Sequence, residues 1–489
     1  MTNCLPDRAS GVLLHVTSLP GPSGIGELGH EAHCFVRWLQ QAGQRYWQVL
    51  PLGPTGYGES PYQLLSAYAG NPLMINLESL GYASPHCATD PSQVDFGWLI
   101  ADKKRALRQA GAEFVASASG VDRERVQDYL SQTVWLEDYA LFATLKEHFD
   151  LRPWHLWPKE YADRDATALA EFSITHADDL YQCKLEQFWF HEQWQAVRRA
   201  AREAGIRIIG DIPIYVAHDS CEVWCARELF DLAPDGSPDT IAGVPPDYFS
   251  ATGQRWGNPL YRWERHAEDN FAWWRARLGH AVSMFDLIRL DHFRGFDSYW
   301  AIPSSCETAI DGTWLQGPGL AFFDAIRKAL GDLPLIAEDL GLLTDSVHAL
   351  RAALGLPGMR VLQFGFDGKP TNPHAPENIE TNVVCYTGTH DNDTTRGWYD
   401  GLDELVRERV GCSGGAAQAA DVMIDMALRS PAQLVIIPMQ DILGLDSRAR
   451  FNVPGVIGGN WLWRVTASEV TAERAVWLAR KTGIFQRNH

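Results

Sequence analysis

At 489 residues, 46% hydrophobic and 21% charged, the chain has the composition of a globular protein able to bury a large core, and it shows no low-complexity tract or fixed-period repeat. A formal net charge of −19 argues against nucleic-acid or anionic-membrane partners, both of which reward basic patches, and is easier to reconcile with an uncharged substrate. Nine scattered cysteines, no basic-then-apolar leader and no apolar run of bilayer length suggest a soluble cytoplasmic protein with reduced thiols.

The elements follow in chain order. Residues 11–18, GVLLHVTS, read as a short strand, followed by two prolines and by Gly24, Gly26 and Gly29. That spacing matches the dinucleotide fingerprint in name only, because Pro20 and Pro22 interrupt the turn and no acid lies about twenty positions on to hold a ribose. A tight glycine-rich loop over a strand end is sufficient. A helix over 30–41 and a strand over 45–52 come next. From 53 to 205 the pattern changes to a turn-rich stretch, GPTGYGESPYQ, and long helical segments at 122–148 and 180–204, read as an insertion after strand two.

Strand three covers 207–216, RIIGDIPIYV, with Asp211 where its hydrophobicity gives out. A second insertion covers 217–282, of which 217–274 is irregular and rich in Trp, Pro and Asp, with a loop at 246–259. Within it His218, Cys221 and Cys225 are spaced loosely like a metal site, but no fourth ligand is nearby, so no metal is expected. Strand four lies in 285–296, FDLIRLDHFRGF, strand five in 334–341, PLIAEDLG, and strand six in 359–366. Strands seven (382–393, NVVCYTGTHDND) and eight (433–443, with Asp441 near its end) complete the set, with helices at 322–330, 345–354 and 416–428 between them. Eight apolar strands alternating with helices predict an α/β fold, a single (β/α)₈ TIM barrel over residues 1–489 with two large insertions.

Polar residues recur at the carboxyl ends of these strands, where such barrels place their chemistry. At period two, Arg289 and Asp291 share one strand face, so the guanidinium is suited to hold that carboxylate charged. A buried ion pair that merely anchors the strand is the alternative. Glu338 and Asp391 stand at the ends of other strands. Spacing alone does not say whether Glu338 or its neighbour Asp339 faces the site. Glycosyl transfer with retention needs two carboxyl groups of separated acidity, one as nucleophile and one as proton donor and then base, while a third acid can shape the sugar ring. His292 and His390, next to Asp291 and Asp391, could donate to sugar hydroxyls or be satisfied structurally. The 19 Trp, 15 Tyr and 20 Phe are mostly core, yet their surplus suits a cleft that stacks on sugar rings.

The segments HVTSLPGPSGIGELG, YGESPYQ, PPDYFSATGQRWGNP, IRLDHFRGF, IAEDLG, YTGTHDNDT and FNVPGVIGGNWLWR, in this order over 11–464, resemble the successive motifs of the amylomaltases, the 4-alpha-glucanotransferase family related to the α-amylases. The resemblance implies Asp291 as nucleophile, Glu338 as general acid/base and Asp391 as the acid that stabilises the transition state. It also implies sugar contacts from Arg289, His390, Tyr57 and Asp211, with Asn460 and Trp461 in the closing motif. Residues 246–259 match an acceptor-side loop carrying Trp256; within it Ala251 stands where some members carry an acid. The implied partners are an α-1,4-glucan donor and a glucose or maltooligosaccharide acceptor, with no cofactor, and a monomer or small homo-oligomer. Rival readings are an α-glucan hydrolase, a non-catalytic glucan-binding protein and an oxidoreductase built on the glycine-rich loop.

Overall fold

The structure, a computed structural model, describes residues 5, 8–84, 90–246, 250–341, 343–456 and 458–488, with Tyr57 described by its backbone alone. Twelve strands occur among the described residues: β1 (Ala9–Leu13), β2 (Tyr46–Gln48), β3 (Arg207–Pro213), β4 (Thr240–Val244), β5 (Gln254–Pro259), β6 (Leu287–Asp291), β7 (Ser298–Pro303), β8 (Thr313–Gln316), β9 (Leu335–Ala337), β10 (Gly358–Val361), β11 (Val383–Tyr386) and β12 (Leu434–Pro438). Eight of them are parallel neighbours in the order β10-β11-β12-β1-β2-β3-β6-β9. The Ala337 N–H donates to Pro357 O at 2.9 Å, joining the two outer strands of that order, so the sheet closes as a (β/α)₈ barrel.

These strands are buried on both faces, which is why they read as largely apolar runs in the sequence, interrupted by buried polar residues such as Asp211, Arg289 and Arg360. Each fully buried Val, Ile or Leu contributes about 1.5–3 kcal/mol, and β12 alone carries four such residues, Leu434 to Ile437. All eight predicted strands are present but shorter than the apolar runs. The runs continue into 3₁₀ or helical turns, Val16–Ser18 after β1, Leu362–Phe364 after β10 and Met439–Leu443 after β12. Hydrophobicity reports burial, and a buried turn looks like a buried strand.

Between β2 and β3 the helices are Phe96–Ser117, Gly120–Gln132, Leu136–His148 and Ala177–Glu203, with shorter ones among them. The helix expected over 122–148 is thus two helices. The stretch expected to be irregular after β3 contains β4, β5 and the short helix Trp263–Glu268, and the helix Ala272–Met284 begins at its end. With β7 and β8, which follow β6, these strands make an antiparallel sheet in the order β5-β4-β7-β8. The glycine-rich loop folds tightly over the end of β1: the Gly26 N–H donates to Thr17 O at 2.8 Å, and Val16 O leaves no room for a Cβ there. No helix among the described residues is long and apolar enough to cross a membrane.

Candidate active site

The register of three adjacent barrel strands builds the centre of the site. Asp211 of β3 pairs with Arg289 of β6, which pairs with Ile336 of β9. Paired residues on neighbouring parallel strands point to the same side, so Asp211 and Arg289 share the barrel interior. Two residues further along, Asp291 lies beside Pro213, and one step past the last pair, Leu290 with Ala337, the register sets Asp291 beside Glu338. That parity resolves the choice left open by spacing. Glu338 faces the interior. Asp339 faces outward, accepting from the Met359 N–H at 2.6 Å and lying 3.3 Å from both Arg351 Nε and Arg360 Nη1. Gly358 is required beside it, since a Cβ would collide with the Asp339 carboxylate.

Arg289 is buried between two acids. Its Nη1 lies 2.7 Å from Asp211 Oδ2 and 2.8 Å from Asp291 Oδ1, while Nε reaches Met359 Sδ at 3.4 Å. Asp211 is sealed from solvent, whereas the Asp291 side chain is 28% exposed and so open to a ligand. The Glu338 carboxylate is held by two backbone donors, His292 N–H to Oε2 at 2.7 Å and Leu340 N–H to Oε1 at 2.8 Å. His292 adopts a left-handed conformation, φ 55°, which ends β6 and turns that N–H toward Glu338. Burial pushes the Glu338 carboxyl up to about 7, opposed by Arg289 and reinforced by Asp291, with the two backbone donors pulling down. Burial drives Asp211 upward as well, against Arg289.

The remaining walls come from distant loops. The Tyr62 hydroxyl donates to Asp211 Oδ2 at 2.9 Å, and its ring stacks on His390, centroids 5.1 Å apart at 13°. Trp461 tilts against both rings, at 6.1 and 6.2 Å. Asp391 borders this aromatic group, its Oδ1 accepting from Asn452 Nδ2 at 2.6 Å and lying 3.4 Å from His390 Nε2. Contacts tie Tyr62 to all three acids, to Asp211 directly, to Asp291 through the Arg289 shared with Asp211, and to Asp391 through His390. On the other side, Trp256 of β5 meets the His292 ring edge-on, 4.8 Å away at 89°. Burial lowers His390, and lowers His292 to about 3, so both rings are neutral near pH 7. The His292 Nε2 is buried without a hydrogen-bond partner among the described residues.

The structure thus gathers Asp291, Glu338, Asp391, Arg289, His390, Asp211 and Trp256 at one end of the barrel. Asn460 stands apart from the acids, its amide spanning backbone groups of Val453 and Val456. The side chain of Tyr57 and residues 247–249 of the acceptor-side loop lie outside the described residues. Ala251 is exposed. Asp441 is structural here, receiving Thr387 Oγ1–H and the Thr395 N–H. His218 donates to Gly236 O at 2.7 Å, and no cluster of three or more potential metal ligands occurs among the described residues. Tyr62 and Asn452 were not singled out from the sequence, although both lie in quoted motifs. Nothing in a turn-rich stretch distinguishes the tyrosine that reaches an acid from one that does not.

A family model described as 4-alpha-glucanotransferase matches residues 14–470. The 4-alpha-glucanotransferase of Thermus thermophilus is 47% identical, the match covering 96% of this chain and 97% of that protein. The enzyme of the same name from a Synechocystis strain is 45% identical over 94% of each. Among solved structures, the amylomaltase from Streptococcus agalactiae in complex with acarbose superposes with a TM-score of 0.95 at 38% identity, covering 98% of this chain and 99% of that one.

Proposed function

Because this chain belongs to the 4-alpha-glucanotransferase family and is an enzyme of that class, we propose that it transfers a segment of an α-1,4-glucan to the 4-hydroxyl of a glucose or maltooligosaccharide acceptor by double displacement, with retention. The observation that carries this reading is that Asp291, the last residue of β6, and Glu338, the residue after β9, stand at adjoining strand ends, with the His292 N–H donating to Glu338 Oε2 at 2.7 Å. Neighbouring positions on adjoining strands let two carboxyls close on one glycosidic bond, as the retaining mechanism requires of a pair about 5–5.5 Å apart.

Asp291, facing Arg289, attacks the anomeric carbon of the donor and forms a glycosyl ester as the glycosidic C–O bond breaks. Glu338, kept protonated by its burial, gives its proton to the departing oxygen. The shortened glucan then leaves, and the 4-hydroxyl of the acceptor enters from the same side. Glu338, now a carboxylate, takes that hydroxyl's proton while the acceptor oxygen displaces Asp291, which restores both groups. Asp391, half-exposed beside His390, is suited to hold hydroxyls of the distorted ring; Arg289 and His390 are candidates to contact the sugar at the cleavage site, Tyr57 and Asp211 further donor-side candidates, and Asn460 a substrate-binding candidate from the closing motif. Water would run the second step equally well. The lid made by Trp256 over His292 therefore supports transfer by keeping an acceptor hydroxyl near the anomeric carbon and water away.

The test uses Glu338→Gln with an α-maltotriosyl fluoride donor, whose leaving group departs without a proton. The variant is expected to accumulate a glycosyl ester on the peptide containing Asp291, seen by mass spectrometry, and Asp291→Asn to accumulate none. An adduct on another residue, or the same adduct in Asp291→Asn, sinks the assignment. A hydrolase is separated by incubating the wild type with maltotriose: transfer makes longer maltodextrins plus glucose, whereas hydrolysis makes only shorter sugars.

A further inference from the structure

Beyond the acids, the segment that follows β6 builds a surface with no part in the steps above. β7 and β8 pair antiparallel with Trp300 opposite Trp314, their rings 5.2 Å apart at 61°. Trp300 is braced from within: its indole N–H donates to Ala309 O at 2.9 Å, and Gly312 lies so close to the ring that no Cβ would fit. Trp314 sits on the outer strand of the sheet, all four of whose residues are exposed, and it is itself 39% exposed beside Leu315 at 41%. Its indole N–H has no acceptor among the described residues. The Arg294 guanidinium covers its ring, 3.9 Å from the centroid.

Arg294 fixes where this surface points. It belongs to the turn Phe293–Phe296 after β6, and the two residues before it donate main-chain N–H groups to Glu338, His292 to Oε2 at 2.7 Å and Phe293 to the main-chain O at 3.2 Å. The contacts thus run from Glu338 through this turn and the Arg294 guanidinium to the exposed Trp314 ring. A proton donor of glycosyl transfer faces the departing and incoming hydroxyls, so this is the acceptor direction. The hairpin is also anchored on that side. The Ala309 N–H donates at 3.0 Å to the O of Thr252, just before the strand β5 that bears Trp256, and Gln316 Nε2 donates to Asp297 O at 2.6 Å. A large aromatic on an unpaired edge strand invites non-specific association, and soluble proteins usually blunt such edges with charge. Here the ring is stiffened instead.

Resting on the glycosyl transfer proposed above, we propose that Trp314, braced by Trp300 and Arg294, is an outer acceptor-side glucan-binding residue. It stacks on a glucose ring beyond the first acceptor sugar, so the enzyme favours α-1,4-glucan chains over free glucose as acceptors. The stacked face supplies apolar area, and the free indole N–H can donate to a ring hydroxyl.

The test is acceptor competition with full-length Trp314→Ala and Trp314→Phe, using α-maltosyl fluoride as donor and either maltoheptaose or glucose as acceptor. Trp314→Ala is expected to lower the ratio of kcat/KM for maltoheptaose to that for glucose about fivefold or more, and Trp314→Phe to restore most of it. An unchanged ratio in Trp314→Ala overturns the proposal. So does an equal fall for both acceptors, or a loss of folded protein by circular dichroism in both variants, either of which makes Trp314 structural. If the wild type transfers to neither acceptor, the parent reading fails and this one with it. If the wild type transfers and only the ratio fails to move, this inference alone is lost.

Discussion

Glu338 accepts the main-chain N–H of His292 at 2.7 Å, so one acid of the site is tied to the residue that follows the other, Asp291. The bond fixes the separation of two carboxyls from different strands by backbone geometry rather than by flexible side chains. It also makes the left-handed conformation of His292 part of the site, because an extended residue would carry the chain onward instead of turning that N–H across to β9.

The acidity of Glu338 sets a pH limit. Its carboxyl is raised from the ordinary range to about 7 by burial, so it holds a proton below that value and loses it above. Transfer from maltotriose needs that proton for the leaving oxygen. Its kcat/KM should fall on the alkaline side of about pH 7, approaching tenfold per pH unit. With a glycosyl fluoride donor the same limb should vanish from the first step. A flat profile to pH 9 with maltotriose would rule out Glu338 as the donor.

Neighbouring Glu338 and Asp339 should separate activity from stability. Glu338→Gln is expected to reduce transfer from maltotriose by about 10²–10⁴ with urea unfolding nearly unchanged. Asp339→Asn removes the buried charge shared by Arg351 and Arg360 and leaves them only the exposed Glu380, and should lower stability by about 1–3 kcal/mol while turnover per folded molecule stays within a small factor. The opposite pattern would mean that the two acids exchange roles.

Tyr62 offers a test of the donor side. Tyr62→Phe keeps the stack on His390 but removes the hydroxyl donated to Asp211. A hydrogen bond to a charged group contributes about 1.5–3 kcal/mol, so kcat/KM for maltotriose should drop by about 10- to 100-fold. An effect under twofold would show that Arg289 alone orients Asp211.

Trp256 should control the fate of the glycosyl enzyme. Replacement by alanine opens the space over His292 to water, and the share of donor ending as free hydrolysis product is expected to rise several-fold relative to transfer product. Product analysis from maltotriose reads both fates in one experiment. An unaltered partition would remove Trp256 from acceptor selection.

Much of the barrel was legible because a strand covered on both faces must be apolar along its whole length, as in Leu434 to Pro438. The acids marked themselves by breaking such runs at the carboxyl end, as Asp291 does. The antiparallel sheet escaped notice for the converse reason. β8 is exposed along its length and β4 contains a glycine, Gly243, so neither shows an alternation to read. Tyr62 and Asn452 were hidden among turn residues, whose direction depends on contacts made far along the chain.

Taken alone, the residues determined that eight strands and their helices would form, and which strand ends carry acids, since period and apolarity are local properties. Only closure of the barrel decided that Glu338 rather than Asp339 looks inward and that Arg289 lies between Asp211 and Asp291. It likewise decided that Tyr62 and Trp461 meet at His390. Those relations depend on register between strands separated by tens of residues, and the buried environment that raises Glu338 exists only where those strands converge.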